Sequence, residues 1–418
     1  MRISSVTMFE QSSASINRQQ ADFLKVGQQL ASTRRVVNPS DDPQAASRAV
    51  GVSQSIALTE QYTNSRVSAR TSLAQTESVL NSVADVVTRG KELLIQASSD
   101  TLSDADRQSI ASELKGVYQT LVGQANATDG NGRYLFGGNR DNTPPFAANA
   151  QGAMQYQGSD SVREQRIDGS RNMPVAESGR SVFMSVASGA GYIGEAVRGD
   201  GERNAGSVVF TGPQVSDAND EGYGDDYRIV FGGEAEAPTL SVQRRVEGEW
   251  AEVPDQTNIA YTGGDAPQRL SFGGLSITLS GLGENADEIS LSQAKNGQRQ
   301  PDLFKTMESA IRVLDQPAQS HVEKADLRNT LSTAMRDLDN AFDNALTVRA
   351  SAGARLNELD VIDSVASNRM LNYTQTLSDL VDVDMVEAIS EYSLRQVGLQ
   401  ASQRTFVDMG KMSLFNYM

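Results

Sequence analysis

The chain has 418 residues, of which 38% are hydrophobic and 6% aromatic, a length that suggests about two to four domains. Its 37 basic and 53 acidic side chains give a net charge of −16, which disfavours nucleic acid as a partner because such binding requires phosphates to be neutralised. Cysteine is absent and His321 is the single histidine, which excludes disulfides, thiolate nucleophiles and metal sites built on two histidines. Composition therefore favours a structural or interaction protein, with no enzyme activity, cofactor or metal expected.

The first segment of the chain lacks the features of a membrane anchor or a leader. No apolar run approaches the roughly 18 residues of a membrane helix, and residues 1–30 show no Sec-type signal peptide, so we expect no membrane partner. Phe9, Ile16, Phe23 and Leu30 lie seven residues apart, with mostly small or polar residues between them. One large apolar side chain per two turns cannot hold a helix alone in water. This spacing predicts a segment that becomes ordered against a partner.

A long helix is predicted from 43 to 99. Asp42 can cap its free N–H groups, and Pro43 suits the first helical position. Apolar positions then recur in alternating steps of four and three, the 3.5-residue period of helices that wind around partners. Ser103, followed by acidic residues, predicts the start of a shorter helix. The stripe of the long helix comprises Tyr62, Arg66, Ala69, Leu73, Thr76, Leu80, Val83, Val87, Gly90, Leu94 and Ala97.

Residues 134–300 differ from both flanks, since they hold 25 of the 35 glycines. Leu275, Ile277 and Leu279 alternate with polar residues, which predicts a half-buried strand. Glu247-Gly248 indicates a hairpin turn. Together with further short apolar runs at 208–210, 227–231 and 240–242, these patterns predict an antiparallel β-rich insert.

The C-terminal flank mirrors the first one. A helix predicted from 323 to 380 has the same four-and-three spacing, and two helices of matched length on either side of an insert are expected to pair antiparallel. The predicted seam of this pair comprises Leu73, Leu80, Val83, Val87, Leu94, Leu331, Leu338, Val348 and Leu359.

The last segment has scattered apolar residues like the first, and it too is predicted to become ordered against a partner. We therefore predict an assembly interface formed by both ends of the chain. Its residues are Phe9, Ile16, Phe23, Leu30, Met385, Ile389, Leu394, Val397, Phe406, Leu414 and Phe415.

The fold class predicted from these patterns is multidomain α+β, with long antiparallel helical arms from both termini and a central antiparallel β-rich insert. Terminal helices are expected at 1–40 and 383–418. A long-helix bundle with a β-hairpin region is expected at 41–188 and 300–382, and the insert at 189–299.

Two short motifs resemble ligand sites but lack the required context. Residues 189–194 match the glycine pattern of dinucleotide-binding loops, yet only four residues separate them from Gly199, too few for the helix that such a loop needs. Asp217, Asn219 and Glu221 imitate the start of a calcium loop, but Arg228 occupies the position of its bidentate glutamate. Both are interpreted as surface loops.

Three stretches of the helical arms resemble the bacterial flagellin family, and within it the junction proteins rather than the filament proteins. They are LASTRRVVNPSDDP at 30–43, NGRYLFGG at 131–138, and the ending with QAS at 400–402 and MSLFNYM at 412–418. Filament flagellins usually continue the Asp-Asp pair with alanine, whereas the junction proteins favour proline, as at Pro43.

The resemblance implies a structural protein of the bacterial flagellum, exported through the flagellar type III apparatus and assembled outside the cell as a homo-oligomeric ring. Expected partners are hook-associated protein 1, flagellin and a flagellar export chaperone. Terminal helices would form the inner tube and the insert the exposed surface. The alternatives are a filament flagellin, or a flagellin-like protein with a catalytic or adhesive insert.

Overall fold

The computed structural model describes residues 5–184, 191–199, 201–234, 237–264, 266–293 and 302–415, with the backbone alone described at 5, 6, 234 and 409–415. No helix within these ranges is long and apolar enough to cross a membrane. The helices are α1 (Ser5–Ser32), α2 (Pro43–Ala97), α3 (Asp104–Ala125), α4 (Leu303–Asp315), α5 (His321–Val381) and α6 (Met385–Phe415).

The predicted helix starts agree with the structure, because each has a side chain that satisfies free N–H groups. Asp42 Oδ1 accepts a hydrogen bond from Ala45 N at 3.0 Å at the start of α2. Ser103 and Asp106 form a reciprocal capping box before α3. His321, the single histidine of the chain, is the exposed first residue of α5.

The described chain divides into two compact units. The terminal unit comprises residues up to Arg66 and from Asp360 onward, and the central unit comprises Val67–Leu359. This division falls inside the long helices. The borders predicted at 188/189 and 299/300 lie outside the described residues, and the three-part division stays a prediction.

In the central unit, side-chain contacts show that α2 and α5 run antiparallel. Arg349 donates to Asn81 Oδ1 at 2.8 Å, and Lys91 pairs with Asp339, so residues later in α2 meet residues earlier in α5. Ten of the eleven predicted stripe residues of α2 are buried, Tyr62 being half-buried. Together with α3 and α4, the two helices enclose one apolar core that includes Leu80, Leu114 and Phe304.

Each predicted seam residue lies on the inner side of its helix. Leu73, Leu80, Val83, Val87, Leu94, Leu331, Leu338 and Leu359 are buried, and Val348 is half-buried against the core.

Two antiparallel hairpins follow α3, which accounts for the β-hairpin region expected beside the bundle. They are formed by β1 (Phe146–Ala148) with β2 (Met154–Tyr156), and by β3 (Glu164–Asp168) with β4 (Arg171–Pro174). A π-helical turn at Arg180–Met184 places Phe183 in the bundle core.

The insert consists of two antiparallel sheets around a second apolar core that contains Tyr192, Phe231 and Leu291. One sheet has the order β10-β8-β7-β13-β5, with β9 also paired to β8, and the other has the order β11-β12-β6. The strands are β5 (Tyr192–Glu195), β6 (Val209–Val215), β7 (Tyr227–Glu234), β8 (Ala237–Val246), β9 (Glu249–Glu252), β10 (Ile259–Ala260), β11 (Gln268–Phe272), β12 (Leu275–Ser280) and β13 (Glu288–Gln293).

Most local predictions for the insert are confirmed, and one is wrong. Glu247 and Gly248 have φ of 51° and 95°, as a two-residue hairpin turn between β8 and β9 requires. The glycine-rich motif at 189–194 runs into strand β5, although Gly189 and Ala190 lie outside the described residues. Strand β12 is not half-buried as predicted, because Ser276 is also buried and its Oγ accepts a hydrogen bond from Arg269.

Helix α5 holds the insert against the bundle through polar side chains. Asn329 accepts a hydrogen bond from Phe210 N at 3.0 Å and donates one to Val208 O at 2.8 Å. Thr333 donates to Gly194 O at 3.1 Å, and Arg336 donates to Gly212 O. Strands β5 and β6 are therefore fixed to the same side of α5.

The first prediction concerns the bundle core. Leu338→Asp should lower the melting temperature strongly, since losing a buried leucine costs about 2–5 kcal/mol and the new carboxylate would be buried without a partner. Leu346→Asp, at an exposed position of the same helix, is the control and should have little effect. A change of less than about 2 °C for Leu338→Asp in a thermal melt would contradict the buried seam.

The second prediction concerns the attachment of the insert. Asn329→Ala leaves Phe210 N and Val208 O without their partner, a loss of about 1–3 kcal/mol. Amide exchange should become faster across β6 while α3 keeps its protection. Asp343→Ala, at an exposed position of α5, should leave both regions unchanged. Unaltered exchange at Phe210 in Asn329→Ala would show that this contact does not hold the insert.

Candidate assembly interface

The two terminal helices form an antiparallel pair within the terminal unit. Phe9 lies against Phe406 with ring centroids 4.9 Å apart, and Phe23 lies against Tyr392 at 4.7 Å. Two residues of the stripe predicted on α1 therefore contact α6 of the same chain, and the other two, Ile16 and Leu30, are half-buried. The prediction that this stripe contacts neighbouring subunits stays a prediction.

Polar contacts flank the aromatic ones along this helix pair. Arg395 forms an ion pair with Asp22 at 3.0 Å, and Ser402 donates a hydrogen bond to Gln19 at 2.6 Å. The ion pair is largely exposed, and such pairs contribute little to stability. The register of α1 against α6 is therefore set mainly by the two aromatic pairs.

The turn between α1 and α2 is attached to the turn between α5 and α6. Arg35 N donates to Val381 O at 2.7 Å, and the Arg35 guanidinium donates to Leu380 O at 2.8 Å. Val383 N in turn donates to Thr33 O at 3.1 Å. These bonds bring together the segment that resembles flagellins and the start of α6.

The Asp41-Asp42 pair organises this turn from within. Asp41 accepts a hydrogen bond from Asn38 N at 2.9 Å and pairs with Lys25 at 3.1 Å, and the backbone hydrogen bond lowers the pKa of its carboxyl. The pKa of the Asp42 carboxyl is lowered chiefly by the hydrogen bond from Ala45 N, and then by Arg35. Both carboxylates are therefore stabilised in their charged form.

Little apolar surface of the terminal helices is buried. Among the described side chains of α1 and α6, only Val26 and Ala388 are buried. Val386 is 77% exposed, Leu394 72% and Val397 63%. At ~100° per residue these three side chains lie on the side of α6 opposite Ala388, Tyr392 and Phe406, which face α1. Helix α6 is thus apolar on two faces and uses one of them within the chain.

The predicted interface residues divide between these two faces. Phe9, Phe23 and Phe406 belong to the contact between α1 and α6, although Phe9 remains half exposed, and Ile16 and Leu30 are half-buried on α1. Leu394 and Val397 lie on the outer face of α6 and Ile389 lies at its margin, whereas Met385 lies on the side of Tyr392 at the first residue of the helix; all four are exposed. The side chains of Leu414 and Phe415 lie outside the described residues.

Two residues of this region were missed in the prediction. Tyr392 supplies the aromatic partner of Phe23, and Val407 is a further exposed apolar residue at the margin of the outer face of α6. The signal for Tyr392 was an aromatic residue 14 positions before Phe406, which matches the 14-residue spacing of Phe9 and Phe23. Within the described residues, no group of three acidic or histidine side chains could hold a metal ion.

A long antiparallel pair of terminal helices, a second pair of long helices and a β-rich insert define a flagellin-type protein. The family model for the bacterial flagellin N-terminal helical region matches residues 3–141.

Comparison with individual proteins shows which family of flagellin-type proteins the chain belongs to. The chain is 32% identical to flagellar hook-associated protein 3 of Escherichia coli over 416 residues, 99% of both chains, and 31% identical to that of Salmonella typhimurium over 99% of both. The crystal structure of hook-associated protein 3 from Legionella pneumophila superposes with a TM-score of 0.67 and 26% identity, covering 79% of this chain and 98% of that one. The chain belongs to the flagellar hook-associated protein 3 family, whose members are structural proteins of the hook–filament junction.

A third prediction follows from the lowered pKa values of Asp41 and Asp42. A carboxyl with a lowered folded-state pKa stabilises the folded state at pH values above its ordinary pKa of about 4, and this stabilisation is lost as the pH falls below it. Protection of the Ala45 amide against exchange should therefore fall between pH 6 and pH 3.

Asp42→Asn keeps an acceptor for the Ala45 amide but removes the charge, since asparagine is also a good helix cap. Its protection should change less between the two pH values than that of the wild type. Glu60→Gln, at an exposed position of α2, is the control and should retain the wild-type pH response. Equal pH responses of Asp42→Asn and the wild type would contradict the role of Asp42.

Proposed function

We propose that the protein joins the flagellar hook to the flagellin filament, and that copies of the chain associate through the outer face of α6. The observation that carries this proposal is the row of exposed apolar side chains at Val386, Ile389, Leu394 and Val397 in a chain that aligns with hook-associated protein 3 over 416 residues. A row of this kind is typical of a surface that becomes buried on association.

The geometry of α6 favours a shared helical layer as the mode of assembly. One face of α6 is already occupied by α1, so each copy would present a helix pair rather than a single helix. Because the pair buries little apolar surface by itself, neighbouring copies that cover the outer face would supply the missing stabilisation. A closed ring of copies is the arrangement that covers every such face.

The expected partners are those of a protein that lies between the flagellar hook and the flagellin filament. Hook-associated protein 1 would contact one side of the ring and flagellin the other, both through helical surfaces. Before assembly, a flagellar export chaperone would cover the apolar residues of α6, and the chain would leave the cell through the flagellar type III apparatus. The protein would act in the flagellum outside the cell, as a structural component without catalysis.

The fourth prediction tests the outer face in cells that lack the chromosomal gene. Leu394→Asp or Val397→Asp should prevent filament growth, because a carboxylate on this face would be desolvated in the assembled ring. The bacteria should carry hooks without filaments and release flagellin into the medium. Electron microscopy and immunoblotting of the culture supernatant measure both effects.

Leu282→Asp, at an exposed leucine of the insert, is the matched control and should restore swimming and filaments. The purified Leu394→Asp monomer should keep the circular dichroism of the wild type, since the substituted side chain makes no buried contact. Normal filaments with Leu394→Asp and Val397→Asp would show that the outer face of α6 is not an assembly surface. Hooks with filaments in the strain lacking the gene would refute the junction function itself.

A further inference from the structure

The loop that follows α3 contains an asparagine–glycine pair in an open position. Asn131 and Gly132 are both exposed, and apart from the chain neighbours of Gly132 nothing lies within 4 Å of the place that a Cβ atom on this glycine would occupy. Gly132 has a φ of 83°, a backbone conformation that glycine adopts without strain. Water therefore reaches both residues.

Hydrogen bonds hold the backbone on either side of Gly132 but not Gly132 itself. The Asp129 carboxylate accepts from Asn131 N at 2.9 Å and from Arg133 N at 3.1 Å. Among the residues that the structure describes, neither the Gly132 nitrogen nor the side chain of Asn131 makes a hydrogen bond. The nitrogen is thus free to approach the Asn131 carboxamide.

An asparagine followed by glycine can react with its own backbone. The nitrogen of the next residue is tethered close to the side-chain carbonyl carbon, which makes the attack intramolecular, and glycine has no side chain to hinder it. The Gly132 nitrogen loses its proton to water and forms a bond to Cγ of Asn131. The bond from Cγ to Nδ2 breaks and ammonia leaves, which gives a five-membered succinimide.

We propose that Asn131 is a site of spontaneous deamidation through this succinimide. Water then adds to one of the two carbonyl carbons of the ring and breaks the bond from that carbon to nitrogen. Opening at Cγ gives aspartate, and opening at the backbone carbonyl gives isoaspartate, in which the main chain runs through Cβ and Cγ. The whole change consumes one water, releases one ammonia and involves no oxidation or reduction.

Two other asparagines near this loop are held in unreactive arrangements. The carboxamide of Asn126 accepts from Phe146 N and donates to Phe146 O, both at 3.0 Å, so it cannot rotate toward its own backbone. Asn139 is exposed, but the nitrogen that would attack it, Arg140 N, donates to Gly137 O at 3.1 Å. Both residues therefore serve as internal controls.

The reaction would alter a loop whose ends are fixed. Asp129 N donates to Arg133 O at 2.8 Å, and Leu135 N donates to Ala127 O at 3.0 Å. Isoaspartate adds one carbon to the main chain between these ends, so the hydrogen bond from Arg133 N to the Asp129 carboxylate, which spans the site, would be lost. The new carboxylate would also repel that of Asp129. Deamidation would therefore loosen the loop and leave α3 intact.

The test incubates the purified full-length chain at 37 °C and pH 7.4 and follows its tryptic peptide 116–133 by mass spectrometry. The peptide should gain the mass difference between OH and NH₂. Electron-transfer fragmentation should place both aspartate and isoaspartate at position 131, while Asn126 in the same peptide stays unchanged. The conversion should be faster at pH 8.5, because the attacking nitrogen must lose its proton.

Two variants separate the reaction at Asn131 from general ageing of the protein. Asn131→Gln should abolish the conversion, because glutamine would have to close a larger ring. Asn139→Gln, at an exposed position beyond the same loop, is the matched control and should leave the conversion at position 131 unchanged. Amide exchange at Arg133 should be faster in aged than in fresh wild-type protein, with α3 equally protected in both.

A comparison with the urea-unfolded chain separates the effect of the fold from that of the dipeptide. The two rates at Asn131 should lie within about tenfold of each other, and a larger slowing in the folded chain, more than about 1.4 kcal/mol of added barrier, would overturn the proposal. Aspartate without isoaspartate would also overturn it, because direct hydrolysis of the side chain gives aspartate alone. The pair Asn296-Gly297 lies outside the described residues and is measured in a separate tryptic peptide.

Discussion

The antiparallel pairing of α2 with α5 is the contact on which the rest of the described structure depends. Lys91 and Asp339 form an ion pair although they lie 248 positions apart in the sequence, so the two helices bring together distant parts of the chain. Helices α3 and α4 complete the same apolar core, and the β-rich insert lies in the sequence between them. A seam with a 3.5-residue period buries the same face of each helix over many turns. The helix pair can therefore form although a long insertion separates α2 from α5 in the sequence.

Helices α2 and α5 also meet through polar residues that an apolar core alone would not require. Arg66 is 1% exposed and forms an ion pair with Asp363 inside the terminal unit. Shifting one helix by a heptad would keep apolar residues in contact but would separate these two charges. A buried charge separated from its partner costs several kcal/mol, roughly 3–5, so the pair favours one register. Asn329 and Arg336 act similarly for the insert, since each matches a particular backbone group of β6.

Helix α6 carries apolar side chains on two faces, of which α1 covers one. Its inner face carries Tyr392 and Phe406 against α1, and its outer face carries Val386, Leu394 and Val397 in solvent. A helix that is apolar on both sides is poorly stabilised in a single chain, because part of its apolar surface stays in water. In the proposed assembly the second face becomes buried, which couples the stability of the terminal helices to the presence of neighbours.

The sequence by itself determined the helices, their caps and the division into helical arms and a β-rich insert, because these depend on local spacing. The stripe containing Leu80 and Leu338, the cap at Asp42 and the turn at Glu247-Gly248 all act within a few residues. Only the tertiary structure decided which surface each apolar face meets. It placed Phe9 and Phe23 against α6 of the same chain and left Leu394 exposed. Periodicity indicates that a face is apolar but does not identify its partner, because the partner comes from a remote part of the chain.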